Sequence, residues 1–179
     1  MQSLSPLIAS IVALIIAIWG DNIRRIFIKP FLIFSEVEAV PQINSSLGTT
    51  HMMLRLAVKN KNNFFTAPAR NLRASITYIK NGEISLPMPL TWTHIEKDSR
   101  DISKGEVAYL DVIKYNPSDS SFYRFHSKMD GLIGLPEYFL SRNEKTEIRI
   151  SFFEENSELK TVRLELNPKS HRLKVISQC

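Results

Sequence analysis

From Ser3 to Gly20 the chain carries no charged residue. Eighteen residues of helix at 1.5 Å each span about 27 Å, close to the hydrocarbon thickness of a bilayer. The apolar side chains, Ile11, Leu14 and Ile15 among them, point in every helical direction. A helix apolar all round belongs in a deep core or in lipid, and a chain of 179 residues has little core to bury one. Pro6 falls in the first turn, where a missing N–H costs little, and Trp19 falls where an interfacial aromatic belongs. A cleaved signal would carry a basic start and a small-x-small cleavage site; residues 1–6 have no Lys or Arg, and no such site follows Trp19. A retained transmembrane helix over 1–20 is therefore preferred to a cleaved signal or a core helix.

Charge sets the orientation. Arg24, Arg25 and Lys29 all lie on the C-terminal flank, which places the N-terminus outside and the rest of the chain in the cytoplasm. The expected location is the inner (cytoplasmic) membrane, crossed once. The single cysteine, Cys179, excludes an intrachain disulfide and agrees with a reducing compartment. Residues 21–30 read as a basic juxtamembrane stem whose cations face anionic head groups, although the same residues suit a helix that simply continues the anchor. Pro30 ends it either way.

After Pro30 the hydrophobic period changes from helical to alternating. "MLRLAVKN" (53–60) sets Leu54, Leu56 and Val58 against Arg55 and Lys59, and "LRASITYI" (72–79) puts Leu72, Ala74, Ile76 and Tyr78 on one face. Similar runs occur at 31–40, 105–115, 121–127, 147–155, 159–167 and 172–177. Asn81-Gly82 signals a hairpin, and Pro87 and Pro89 make 83–92 an edge strand or an irregular ending. A short helical turn is expected near 134–140. Some eight or nine short strands predict a cytoplasmic all-β domain over 31–179. The preferred form is an immunoglobulin-like antiparallel β-sandwich without the Cys–Trp–Cys framework, preceded by one N-terminal transmembrane α-helix. A closed barrel stays open as the other form.

Two stretches carry a resemblance. "LRLAVKNKNNFFTAPARNLRASITY" (54–78) resembles a pattern of uncharacterised prokaryotic membrane-anchored β-sandwich proteins, in which a strand ending Val-x-Asn leads through a loop to Ala-x-Asn-x-Arg-Ala-x-Ile. The matching residues are Val58, Asn60, Ala69, Asn71, Arg73, Ala74 and Ile76, with Leu72 where those proteins often have Cys. "PLTWTH…ISKGEVAYLDV" (89–112) resembles their second motif, with Lys104 in place of a Pro. The resemblance implies a terminal membrane segment followed by a β-sandwich, and it carries over no established activity. Read physically, Asn60 and Asn71 bracket a loop whose backbone groups they can satisfy. Asp111, placed by alternation on the face of Tyr109 and Ile113, needs a partner, and Arg73 is expected to supply it as a structural pair.

No catalytic constellation is legible. His51, His94, His126 and His171 show no metal-ligand spacing, so no metal or cofactor is expected. There is no Gly-x-Ser-x-Gly elbow, and six glycines leave little for a phosphate cradle. A net charge of +5 favours anionic partners, but the basic run at 167–175 lacks the interleaved aromatics of a nucleic-acid surface. The expectation is a non-enzymatic, membrane-tethered interaction module. Its loops 60–71, 93–105 and 116–120 would meet a cytoplasmic protein or ligand, with Phe64 and Phe65 as anchors unless they plug the end of the sandwich. The alternative is a defence-type membrane effector whose β-domain homo-oligomerises and clusters the anchors through Ala9, Ala13 and Ala17 on one helix face.

Overall fold

The protein is described by a computed structural model over residues 8–15, 29–44, 49–80, 83–95, 97–118, 122–126, 139–141, 144–154 and 157–178. It is an antiparallel two-sheet β structure with one hydrophobic core. The strands are β1 (Leu32–Glu36), β2 (Val40–Asn44), β3 (Thr49–Asn60), β4 (Ala69–Lys80), β5 (Glu83–Ile84), β6 (Met88–Pro89), β7 (Thr91–Trp92), β8 (Ser99–Ile102), β9 (Val107–Tyr115), β10 (Phe122–Phe125), β11 (Phe139–Ser141), β12 (Thr146–Glu154), β13 (Ser157–Asn167) and β14 (Arg172–Gln178). The first sheet runs β1-β3-β9-β10-β11, with β2 also on β3 and β7 also on β9. The second runs β14-β13-β12-β4-β5, with β6 and β8 also on β4.

The alternation of β4 and β12 does what a half-buried strand requires. Leu72, Ala74, Ile76 and Tyr78 enter the core from β4, and Ile148, Ile150 and Phe152 from β12. Leu54, Leu56 and Val58 of β3 meet them from the other sheet. Aromatic contacts cross between the layers. Phe34 lies 4.7 Å from Phe152, and Tyr78 lies 5.3 Å from Phe125, centroid to centroid.

The stretch 83–92 is not one edge strand. It breaks into β5, β6 and β7, and it changes sheets at Leu90. Leu90 still donates its N–H to Ala74 O of β4 at 2.9 Å, but Thr91 and Trp92 already pair with Asp111 and Leu110 of β9. The chain then returns to β4 as β8. Trp92 remains tied to the sheet it left, through an indole N–H bond to Leu72 O at 3.0 Å. Of the stretch 134–140, where a helical turn is expected, Phe139 and Leu140 lie in β11, which pairs with β10; residues 134–138 and Asn81-Gly82 lie outside the described residues.

On the outer face of the second sheet, Arg149 and Arg163 sit directly opposite each other. Like charges in that register repel. Glu147 resolves the conflict by accepting two bonds from Arg163, both at 2.9 Å, and one from Arg149 at 3.3 Å. The Arg163 hydrogen bonds, with Arg149 behind them, hold the Glu147 carboxyl below its ordinary pKa. A lowered folded-state pKa gives stability that is complete above the ordinary carboxylate range and is lost as pH falls through the folded value. Glu147→Gln should therefore cost about 0.5–1 kcal/mol in urea melts at neutral pH, as partly exposed pairs do. The difference from the parent should close in acid; a difference unchanged by pH would contradict this account.

Residues 8–15 are helical. Ile8, Ile11, Val12, Leu14 and Ile15 are all about half exposed there, so the sandwich does not cover them. Among the described residues, no helix is long and apolar enough to cross a membrane. The remainder of the expected 1–20 span, with Ala17 and Trp19, lies outside the described residues, as do Arg24 and Arg25.

Candidate functional site

One end of the sandwich is organised around a single side chain. β3 stops at Asn60, where β1 begins opposite it at Leu32. Asn60 is fully buried. Its Oδ1 accepts the Phe31 N–H at 3.2 Å, and its Nδ2 donates to Ala67 O at 2.8 Å and to Ile102 O at 3.2 Å. Its backbone adds a bond to Glu106 O at 3.1 Å and accepts one from Gly105 N–H at 2.7 Å. Through side chain and backbone together, Asn60 thus joins the chain leading into β1, the loop 61–68, the end of β8 and the turn 103–106.

Further bonds close the same end. Lys61 N–H reaches Phe31 O at 2.8 Å, and Ala67 N–H reaches Lys29 O at 3.2 Å. Thr66, nearly inaccessible, donates its hydroxyl to Asn63 Oδ1. Gly105 has φ +77°, and a Cβ there would come within 3.3 Å of Asn62 Cβ, so both its conformation and the loop's approach call for glycine. Asn71 has φ +49° at a register shift between β4 and β8, and its N–H is held by Asp101 Oδ1 at 2.7 Å. Asn60 satisfies the loop, as the sequence suggests. Asn71 instead supplies a left-handed kink in the strand, a conformation Asn tolerates.

On this clamped base the loop tip carries Phe64 and Phe65, 87% and 71% exposed. The rings meet edge to face at 5.3 Å. They do not plug the sandwich. Lys29, Lys61 and Lys104 are exposed at the same end. Lys61 Nζ lies 5.3 Å and Lys160 Nζ 5.4 Å from the half-exposed Phe31 ring. Two nearby acids are hydrogen-bonded within the domain. Glu106 accepts from Ser103 N–H at 2.8 Å and Arg100 at 3.0 Å, and the Ser103 bond in the lead lowers its pKa. Glu154 accepts from Arg70 N–H at 2.7 Å. The end therefore shows solvent an aromatic pair and lysines, with Glu106 and Glu154 held in hydrogen bonds and Asp101 exposed.

Of the three loops expected to act together, the structure joins 61–68 and 103–106 at this end. The described residues of 116–120 lie at the other end, beyond β9. Ile11, Leu14, Ile15, Ala9 and Ala13 sit on the exposed helix, and Lys29 is exposed where the described chain resumes. The Arg73–Asp111 pair is corrected. Asp111 Oδ1 accepts from Arg55 Nε at 2.6 Å and from Thr93 Oγ1 at 2.9 Å, whereas Arg73 is exposed on β4 of the other sheet. The two residues lie on the outer faces of different sheets, Arg73 between core residues Leu72 and Ala74 of β4 and Asp111 after core residue Leu110 of β9. A bulge also changes the faces beyond Asp111: β9 offers one residue too many between its partners Arg55 and Leu54. Leu110 and Ile113 both enter the core, so Asp111 shares a face with Tyr109 but not with Ile113.

Sequence reasoning also missed a cluster at the opposite end. His171 stacks on Tyr115 at 5.1 Å and 9°, and its Nδ1 lies 2.6 Å from Tyr123 Oη, which also bonds Pro168 O at 3.1 Å. Its only signal was a histidine in a turn between strands. His171 takes φ +51° there. Among the described residues no group of three His, Cys, Asp or Glu side chains is placed to hold a metal. No protein-family model matches the chain, and neither a curated protein nor a solved structure does.

Proposed function

We propose that the protein is a membrane-tethered, non-enzymatic binding module, with an immunoglobulin-like sandwich held at the cytoplasmic face of the inner membrane by an N-terminal helix. The observation that carries this reading is the exposed Phe64–Phe65 pair on a loop fixed by Asn60. Large aromatics held rigidly in water are costly unless something covers them, and they are the usual anchors of a contact surface. The tether is supported by the charge-free run 3–20 and by helical residues 8–15, whose apolar side chains the sandwich leaves exposed. The resemblance to anchored prokaryotic β-sandwich proteins points the same way.

Cell fractionation tests the tether. The full chain should stay with the membrane pellet through alkaline carbonate extraction, and protease added outside spheroplasts should leave the β-domain intact. Release of the intact chain into the supernatant, or digestion of the domain from outside, would overturn the proposal.

A further inference from the structure

We infer that the partner of the Phe64–Phe65 loop is the bilayer surface itself, so that the domain rests on lipid through a second, non-covalent contact. This inference rests on the tether proposed above and names what the exposed aromatic pair meets.

Connectivity comes first. Ala67 N–H bonds Lys29 O, and Lys61 N–H bonds Phe31 O, so the loop is fastened to the first residues after the stem. Eight residues, 21–28, separate Gly20 from Lys29. Even fully extended, that stretch reaches only about 30 Å. The aromatic end is therefore the end confined near the membrane, while the Tyr115–His171 end points away from it.

The chemistry of the end agrees. Aromatic rings flanked by cations suit the head-group layer, where rings enter the acyl boundary and ammonium groups meet lipid phosphates. Lys29, Lys61 and Lys104 are exposed at the same end, and Glu106 and Glu154 are each hydrogen-bonded within the domain. A protein partner on the same loop would have to fit into the short gap between the domain and the bilayer. Rigidity completes the argument. The loop is already ordered by Asn60, Thr66 and Asn63, so inserting the rings demands little further ordering.

The test uses the full chain with Cys179→Ser, reconstituted into phosphatidylcholine vesicles with and without phosphatidylglycerol. A nitroxide is attached through Phe65→Cys, through Ser118→Cys at the far end, or through Val12→Cys in the helix. Collision with oxygen is then compared with collision with a water-soluble nickel chelate. The label at 65 should be several-fold richer in oxygen relative to nickel contact than the label at 118, more so with anionic lipid. Phe64→Cys provides a second reporter, and neither Phe belongs to the core, so folding is not at stake. Labels at 64 and 65 as aqueous as 118, with the label at 12 buried in lipid, would overturn this inference and keep the tether, leaving the loop to a protein partner. An aqueous label at 12 would overturn both.

Discussion

Asp111→Ala should lower the unfolding free energy by about 3–5 kcal/mol, as loss of one member of a buried ion pair does. The Arg55 and Asp111 side chains are 12% and 7% exposed. The guanidinium would be left in a nearly dry site, and the Thr93 hydroxyl would lose its acceptor. For a domain of this size the midpoint should fall by roughly 10 °C or more. Asp111→Asn keeps the shape and one acceptor, so it should cost less. The informative control is the double variant Arg55→Met with Asp111→Leu, which removes both charges. It should recover most of the loss, because an apolar pair of similar volume is often as stable as a buried ion pair. Urea melts of the parent, Arg55→Met, Asp111→Leu and the double variant give the coupling directly. A double variant as unstable as Asp111→Ala would mean that the pair holds the β9 bulge in place.

Asn60→Ala should cost about 3 kcal/mol or more. It strands the Phe31 N–H and the carbonyls of Ala67 and Ile102, three polar groups at a buried junction, each worth about 1–3 kcal/mol when left unsatisfied. Asn60→Asp should be worse at neutral pH. It keeps the acceptor for Phe31 but turns an oxygen toward two carbonyls. A readout beyond the melt separates clamp from core: proteolysis in the 61–68 loop should accelerate in Asn60→Ala before the rest of the domain becomes sensitive. An Asn60→Ala protein with unchanged melting and unchanged loop cleavage would remove the clamp from the account.

Much of this architecture was written in the alternation of single strands. Leu72, Ala74, Ile76 and Tyr78 fall on one face because nothing interrupts the pleat of β4 over that stretch, and those side chains enter the core. The reading failed where the pleat is interrupted. The extra residue in β9 reversed the faces after Asp111, and no residue type marks a bulge made from ordinary strand formers. β5, β6 and β7 are two residues long and carry no period, so their switch between sheets was invisible. β2, at Val40–Asn44, was missed, because the run 31–40 ends where it begins; among the described residues β2 pairs with β3 alone, an edge position that accommodates Pro41. At the aromatic end the loop-satisfying role of Asn60 was legible, and the sequence left Phe64 and Phe65 either exposed or plugging the sandwich end. Their relation to Lys29 and Phe31 was not legible, because it depends on bonds between residues some thirty positions apart.

The double crossing of residues 88–102 works as a stitch. Within fifteen residues the thread passes from one layer to the other and back, and the Trp92 indole ties it down between them. Layers sewn together in this way cannot hinge open like a book. Motion of one layer against the other is then confined to small shifts of twist along the long strands β3, β4, β9, β12 and β13 that join the two ends.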